Sequence, residues 1–302
     1  MQPEPRPFNI RLINISKFDI HLFDIPPFLC STFLCSSVHL FPIPMIISLA
    51  IQKGGSGKTT TAINLAAALQ QMGHKVLIVD MDPQANCTQA LGIIEEPELG
   101  TYQLLKKEAS GEDAHAREAV IRTTSGVDLI PSGLELASAE LELVSVYGRE
   151  QLTKQLLKPL QEAYDFIFID CPPAIGMLTV NALVASDYVL MPLQAEFLPL
   201  KGLRSFLRSL EKIKKQLHPQ IKLTGFVLTK YDQRKSMNRK VLQELEREFG
   251  DKVFQTKIRT NIALAKAQEA GLDIFHFDKK SNGASDYQLL AQELLQRMSS
   301  QT

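Results

Sequence analysis

Apolar residues in this chain fall into short unbroken runs, each closed by a polar or glycine-rich segment, with longer periodic stretches between them. Ile46–Ile51, Lys75–Val79, Phe166–Ile169, Tyr188–Pro192 and Leu223–Thr229 read as strands. A strand with one wet face alternates apolar and polar residues. A strand covered on both faces reads as a continuous apolar run, the mark of a parallel sheet between helical layers. The stretches Thr60–Met72, Gly176–Ala185, Pro199–Leu217, Lys235–Phe249 and Ala284–Met298 read as helices. This alternation predicts an α/β fold: a doubly wound, mostly parallel sheet with helices on both faces. Residues 87–165 carry weaker signals and read as a mostly helical, acidic insertion, with amphipathic Leu134–Leu143 expected to pack on the sheet.

The link between the first strand and the first helix is Lys53-Gly54-Gly55-Ser56-Gly57-Lys58-Thr59-Thr60. A glycine-rich turn entering a helix lets backbone N–H groups converge on phosphate oxygens. Lys58 supplies positive charge to the β and γ phosphates of a nucleotide, and the Thr59 hydroxyl is the expected Mg²⁺ ligand. Strand, glycine loop and helix in that order are the context a phosphate-binding loop requires.

Two further strands end in carboxylates. The second closes on Asp80-Met81-Asp82-Pro83-Gln84, and alternation turns Asp80 and Asp82 to the same side, at the sheet end where ligands bind in open α/β folds. The third closes on Asp170-Cys171-Pro172-Pro173, four apolar residues followed by an acid, as in a Walker B strand. Asp170 is expected to hold Mg²⁺ through water, because that ion keeps several waters in such sites. Cys171 reads as a small core thiol. Pro192–Glu196 and Thr229–Asp232 fall at strand ends and are candidates for the purine side of the site.

Lysine at both Lys53 and Lys58 is the signature of the deviant Walker A ATPases, and from Met45 to about Gln296 the chain resembles the ParA/Soj partition ATPases of the ParA/MinD family. The resemblance implies ATP as the nucleotide, in agreement with the lack of an Asn-Lys-x-Asp guanine signature. It implies that Lys53 reaches the phosphates of a partner subunit in a nucleotide-sandwiched homodimer. It gives Asp82 the orienting of the attacking water, Asp80 the support of the Mg²⁺ shell, and Pro172–Gly176 the sensing of the γ-phosphate. It also implies that the insertion helps build the dimer face, and that turnover is weak without a partner.

Composition is that of an ordinary globular protein, with 45% hydrophobic and 22% charged residues in 302. Four cysteines without a C-x-x-C pair argue against a disulfide framework, a zinc site or a cluster-bridging redox relative, and a reducing cytoplasm is expected. The formal net charge of zero hides an asymmetry: residues 201–240 hold twelve Lys or Arg against two acids. Lys201, Arg204, Arg208, Lys212 and Lys215 recur at three to four residues, and Arg234 and Lys235 lie in a nearby turn. A solvated face is the ordinary meaning of such a run. So few interleaved acids favour a polyanion, and nonspecific DNA-backbone binding with a nucleoid location is the expectation. In the resembling family an Ile-Pro-Arg-Asn-x-Arg segment takes part in DNA binding. Here the stretch is Ile258-Arg259-Thr260-Asn261-Ile262-Ala263, which leaves Arg259, Lys257 and Lys266 to compensate.

Residues 1–44 hold seven of the sixteen prolines and six of the fifteen phenylalanines, without a clean period. They read as an upstream extension, poorly ordered or outside the native protein, with an anchor, a signal or a docking peptide as the other readings. Residues 45–302 read as the ATPase domain. The expected function is ATP-driven partition of a plasmid, chromosome or other cargo, with hydrolysis stimulated by a ParB-like centromere-binding protein. The alternative is a MinD-like membrane-cycling regulator. That role needs a basic amphipathic tail, whereas Gln288–Met298 is amphipathic and nearly free of cations, so no stable membrane association is expected.

Overall fold

The strands Met45–Leu49 (β1), Val76–Asp80 (β2) and Phe166–Asp170 (β5) are buried at every position, as their unbroken apolar runs require. The protein is seen here in a computed structural model that describes residues 44–195 and 200–300, without the side chains of Leu200 and Lys201. The extension before Pro44, the purine-side candidate Glu196, the Pro199 start of a helix and the side chain of Lys201 lie outside the described residues.

In chain order the elements are β1, α1 (Lys58–Gln71), β2, α2 (Asn86–Ala90), α3 (Thr101–Ser110), β3 (Ile121–Arg122), β4 (Asp128–Ile130), α4 (Leu136–Glu142), α5 (Leu152–Leu157) and β5. They continue with α6 (Met177–Ala185), β6 (Tyr188–Gln194), α7 (Leu200–Gln216), β7 (Lys222–Thr229), α8 (Ser236–Phe249), α9 (Ile262–Glu269), α10 (Ile274–Asp278) and α11 (Asn282–Ser299). One sheet of order β3-β4-β2-β5-β1-β6-β7 results, parallel except for the edge strand β3.

Strand periodicity divides the core in two. Ile46, Leu77, Val79, Ile167 and Ile169 belong to one apolar cluster, with Leu104, Leu136, Leu178, Phe206 and Val241 from α3, α4, α6, α7 and α8. Their chain neighbours Met45, Ile47, Leu49, Val76, Ile78, Phe166 and Phe168 belong to the other, with Leu65, Leu264, Ile274 and Tyr287 from α1, α9, α10 and α11. Period 2 thus sends successive side chains into opposite layers. In α11, Tyr287, Leu290, Leu294 and Met298 are buried, so two of the helix's leucines belong to the core, while Leu289 is exposed and Leu295 only partly buried. Among the described residues, no helix is long and apolar enough to cross a membrane.

Two details depart from the sequence expectation. Leu136, Ala139 and Leu143 are buried, but α4 packs chiefly against α3 and α6; α6 itself meets β1 and takes the strand-facing place. The insertion is also less purely helical than expected. Residues 121–130 add a short hairpin to the sheet edge, closed by the Thr123 N–H donating to the Val127 carbonyl at 3.1 Å.

Register aligns the chemistry. Leu49, at the end of β1, pairs with Asp170, which in turn pairs with Asp80 on β2. The carboxyl ends of three adjacent strands therefore deliver the phosphate loop, Asp170 and Asp80 to one edge of the sheet.

Candidate functional site

The glycine loop rises from β1 and enters α1 at Gly57, whose φ of +91° is left-handed. A Cβ there would also stand 3.2 Å from Thr229 Cγ2, so both conformation and space call for glycine. Thr229, at the end of β7, donates its hydroxyl to the Ser56 carbonyl at 2.8 Å and ties the loop to the far side of the sheet. Lys58 is buried, with Nζ 3.3 Å from the Lys53 carbonyl. Gly54, Gly55, Ser56, Gly57, Lys58, Thr59 and Thr60 line one side of a cavity of about 790 Å³, a volume suited to a nucleotide-sized ligand. Lys53 does not line it. It lines instead a small neighbouring crevice with Gln52, Ser56, Leu193, Gln194 and Leu203.

Behind the loop lie three acids. Thr59 Oγ1 donates to Asp170 Oδ2 at 2.6 Å, while Asp170 Oδ1 is buried without a hydrogen-bond partner. Burial first, and the neighbouring Asp80 carboxylate second, push the Asp170 carboxyl well above the usual range. Asp80 is also held high, by burial first, against hydrogen bonds from Thr88 that pull the other way. Two buried acids with an orphaned oxygen and one neighbouring lysine are an unfavourable arrangement without a cation. Their hard oxygen donors, together with the Thr59 hydroxyl, fit Mg²⁺.

Asp80 and Asp82 are both buried, but their surroundings differ. Asp80 accepts hydrogen bonds from Asp82 N (3.1 Å), Thr88 N (2.9 Å) and Thr88 Oγ1 (2.7 Å). Its oxygens are thereby engaged by the loop that follows β2. Thr101 Oγ1 donates to the Asp80 carbonyl at 2.7 Å, and Ser132 Oγ to the Asp82 carbonyl at 2.9 Å. Asp82 accepts from Gln84 N at 3.0 Å and lines the cavity. Thr88, Thr101 and Ser132 are thus positioning residues that sequence reasoning missed; their only signal is a hydroxyl inside an otherwise weak stretch. Pro173, from the loop after β5, also reaches the cavity. Burial raises the thiols of Cys87 and Cys171, which leaves both as core residues.

The purine-side candidates separate. Thr229 and Lys230 line the cavity, whereas Pro192, Leu193, Gln194 and Ala195 do not. The rest of that wall comes from Ile258, Arg259, Thr260, Asn261, Leu264, Ala265 and Gln268, opposite Asn86, Gln89 and Ala90 of α2. These residues reach the site because 254–258 runs alongside β7: Ile258 N donates to the Leu228 carbonyl at 2.8 Å. No local pattern in the sequence announces that pairing.

The basic candidates are less free than their sequence suggests. Arg204 makes a forked pair with Glu248, both contacts at 3.1 Å. Arg234 makes one with Asp232 at 3.0 and 2.9 Å. Arg259 is held by Asp286, with Nη2 at 2.6 Å. Glu248 and Asp286 lie on other elements, so the run 201–240 could not reveal them. Arg208 and Lys235 are exposed, without an ion pair among the described residues. Arg234, Lys235, Lys257 and Arg259 face a second cavity, of about 640 Å³.

Comparison with known proteins agrees with this fold. A family model described as an AAA domain matches residues 44–223. The sporulation initiation inhibitor protein Soj of Bacillus subtilis (strain 168) is 41% identical over 251 residues, covering 82% of this chain and 97% of Soj. The chromosome partitioning protein ParA of Caulobacter vibrioides (strain NA1000 / CB15N) is 39% identical over 255 residues, 83% of this chain and 94% of its own. Among solved structures, the cobyrinic acid a,c-diamide synthase from Mycobacterium smegmatis with bound ADP and magnesium superposes with a TM-score of 0.73 at 33% identity, covering 86% of this chain and 97% of that one. With its paired lysines, its acid-tipped strands and relatives of this similarity along most of its length, the chain belongs to the ParA/Soj-type partition ATPases of the deviant Walker A, ParA/MinD family.

Proposed function

We propose that this chain is an ATP-hydrolysing partition switch. ATP closes a homodimer, the dimer binds DNA without sequence preference on the nucleoid, and a ParB-like centromere-binding partner stimulates hydrolysis and release. The observation that carries this reading is the position of Lys53, outside the cavity lined by Gly54 to Thr60 of its own loop. A lysine with a long stem, beside its own phosphate site but not in it, is available to the phosphates of a second copy.

Within one subunit the division of labour follows from position. The N–H groups of the glycine loop and the α1 N-terminus cradle the phosphates, and Lys58 balances their charge. Thr59 and Asp170 would hold Mg²⁺, which would neutralise charge on the phosphate oxygens, and Asp80 fixes the loop beside them. Asp82 orients the attacking water, and Pro173 carries the state of the phosphates into the loop after β5. Arg208 and Lys235 make the main phosphate contacts with DNA; Arg204, Arg234 and Arg259 add a share reduced by their acids.

Sedimentation with ATP and Mg²⁺ tests the dimer. Wild-type protein shifts from monomer to dimer, while Lys53→Ala stays monomeric and still binds a fluorescent ATP analogue. An undiminished dimer in the variant contradicts the reading.

A further inference from the structure

The nucleotide cavity and the basic cavity adjoin, and Arg259 and Thr260 line both. Arg259 is fixed at that boundary from two directions. Its backbone bridges to Tyr231, whose N–H donates to the Ile258 carbonyl at 2.9 Å, so the basic turn at 231–235 is joined to the cavity wall. Its own N–H and Nε donate to Asp286 at 2.9 and 3.0 Å. The Asp286 side chain is 6% exposed and the Arg259 side chain 48%, so Nε and Nη2 are anchored on a buried carboxylate while the arginine as a whole stays half-exposed. The residue after that anchor, Tyr287, lines the nucleotide cavity and places its hydroxyl 3.3 Å from Thr61 Oγ1 in α1, the helix that the glycine loop enters.

We infer that Arg259, held by Asp286, is the positioning residue that couples the two cavities. Nucleotide in the first cavity fixes the Arg259 segment and its bridge to Tyr231, and thereby sets the affinity of the second for the phosphates of a nucleic acid. The inference rests on the DNA-binding reading above. It adds a wire between the sites made of one ion pair, one backbone bridge and one buried tyrosine. Coupling of this kind is a ratio of affinities, distinct from the strength of either site.

The test uses full-length protein and a random-sequence DNA duplex. Affinity is measured at saturating ATP with Mg²⁺ and without nucleotide, for wild type, Arg259→Lys and Asp286→Asn. Lysine keeps the charge and loses the fork; asparagine keeps the arginine and frees it. A residue that only contacts DNA phosphate answers to its charge, which both variants retain, and leaves the ratio at its wild-type value. A coupling residue lowers the ratio, by about fivefold or more, in both variants, while Arg122→Ala, which breaks an exposed pair with Asp128 elsewhere, retains it. Should Asp286→Asn fail to fold, Arg259→Lys decides. A wild-type ratio in Arg259→Lys overturns the inference and leaves the DNA reading intact. Absence of DNA binding by wild type with ATP overturns both.

Discussion

The hydroxyl of Thr59 lies 2.6 Å from Asp170 Oδ2, and the other oxygen of that carboxylate is buried without a partner. The pair ties the phosphate loop to the end of β5 and leaves a buried acid whose charge the protein itself does not balance. Asp170→Asn removes that charge. The variant is expected to melt a few degrees higher than wild type without nucleotide and Mg²⁺, and to lose about 10²-fold or more in Mg²⁺-dependent hydrolysis. Calorimetry and a phosphate-release assay read the two effects, and a lower melting temperature would show that the carboxylate stabilises the empty fold.

Asp82 lines the cavity while its loop is held by Asp80, Thr101 and Ser132. Asp82→Ala is therefore expected to lower hydrolysis by about 10²–10⁴-fold and to keep ATP affinity within a few fold, which accumulates the ATP-bound dimer. Single-turnover hydrolysis beside equilibrium nucleotide binding separates these. Loss of both together would assign Asp82 to binding.

Thr88 gives both its N–H and its hydroxyl to Asp80 and accepts from Ser132 N at 2.9 Å. Thr88→Val removes the hydroxyl at nearly constant volume and leaves a buried carboxylate short of a donor. The expected loss of stability is about 1–3 kcal/mol, with a fall in hydrolysis because the loop carrying Asp82 is released. Denaturant unfolding measures the first effect. Unchanged stability would mean that water replaces the hydroxyl.

Gly271 and Gly92 cross where α9 and α2, two walls of the cavity, come to their ends. Gly271 has φ +70°, and a Cβ on it would lie 2.8 Å from Gly92 Cα. Gly271→Ala is expected to part the walls and weaken nucleotide binding by about tenfold, the cost of a small misplacement at a binding site. Gly73→Ala carries similar backbone strain at φ +91° with nothing within 4 Å, and is expected to bind nucleotide normally. Equal effects in both would trace the loss to backbone strain alone.

Much of this molecule is legible in its sequence because its information is local. Unbroken runs such as Phe166–Ile169 state burial on both faces, and that implies a parallel sheet. The glycine loop states its chemistry through spacing. What stayed hidden depends on chain partners distant in sequence. Arg204 meets Glu248 across 44 residues, and Thr229 reaches back 173 residues to Ser56. The wall at 258–268 joins the site through pairing with β7, which no periodicity encodes. The short strands β3 and β4 do not show in the sequence because two and three residues are too few for a period: β3 is exposed, and β4 buries only Leu129 and Ile130.

The most direct test of the central claim is binding to random-sequence duplex DNA with ATP, with ADP and without nucleotide, across a salt series. Tight binding is expected with ATP alone, falling steeply as salt rises in the way counterion release requires. ATP-dependent dimerisation without DNA binding at any salt would contradict it.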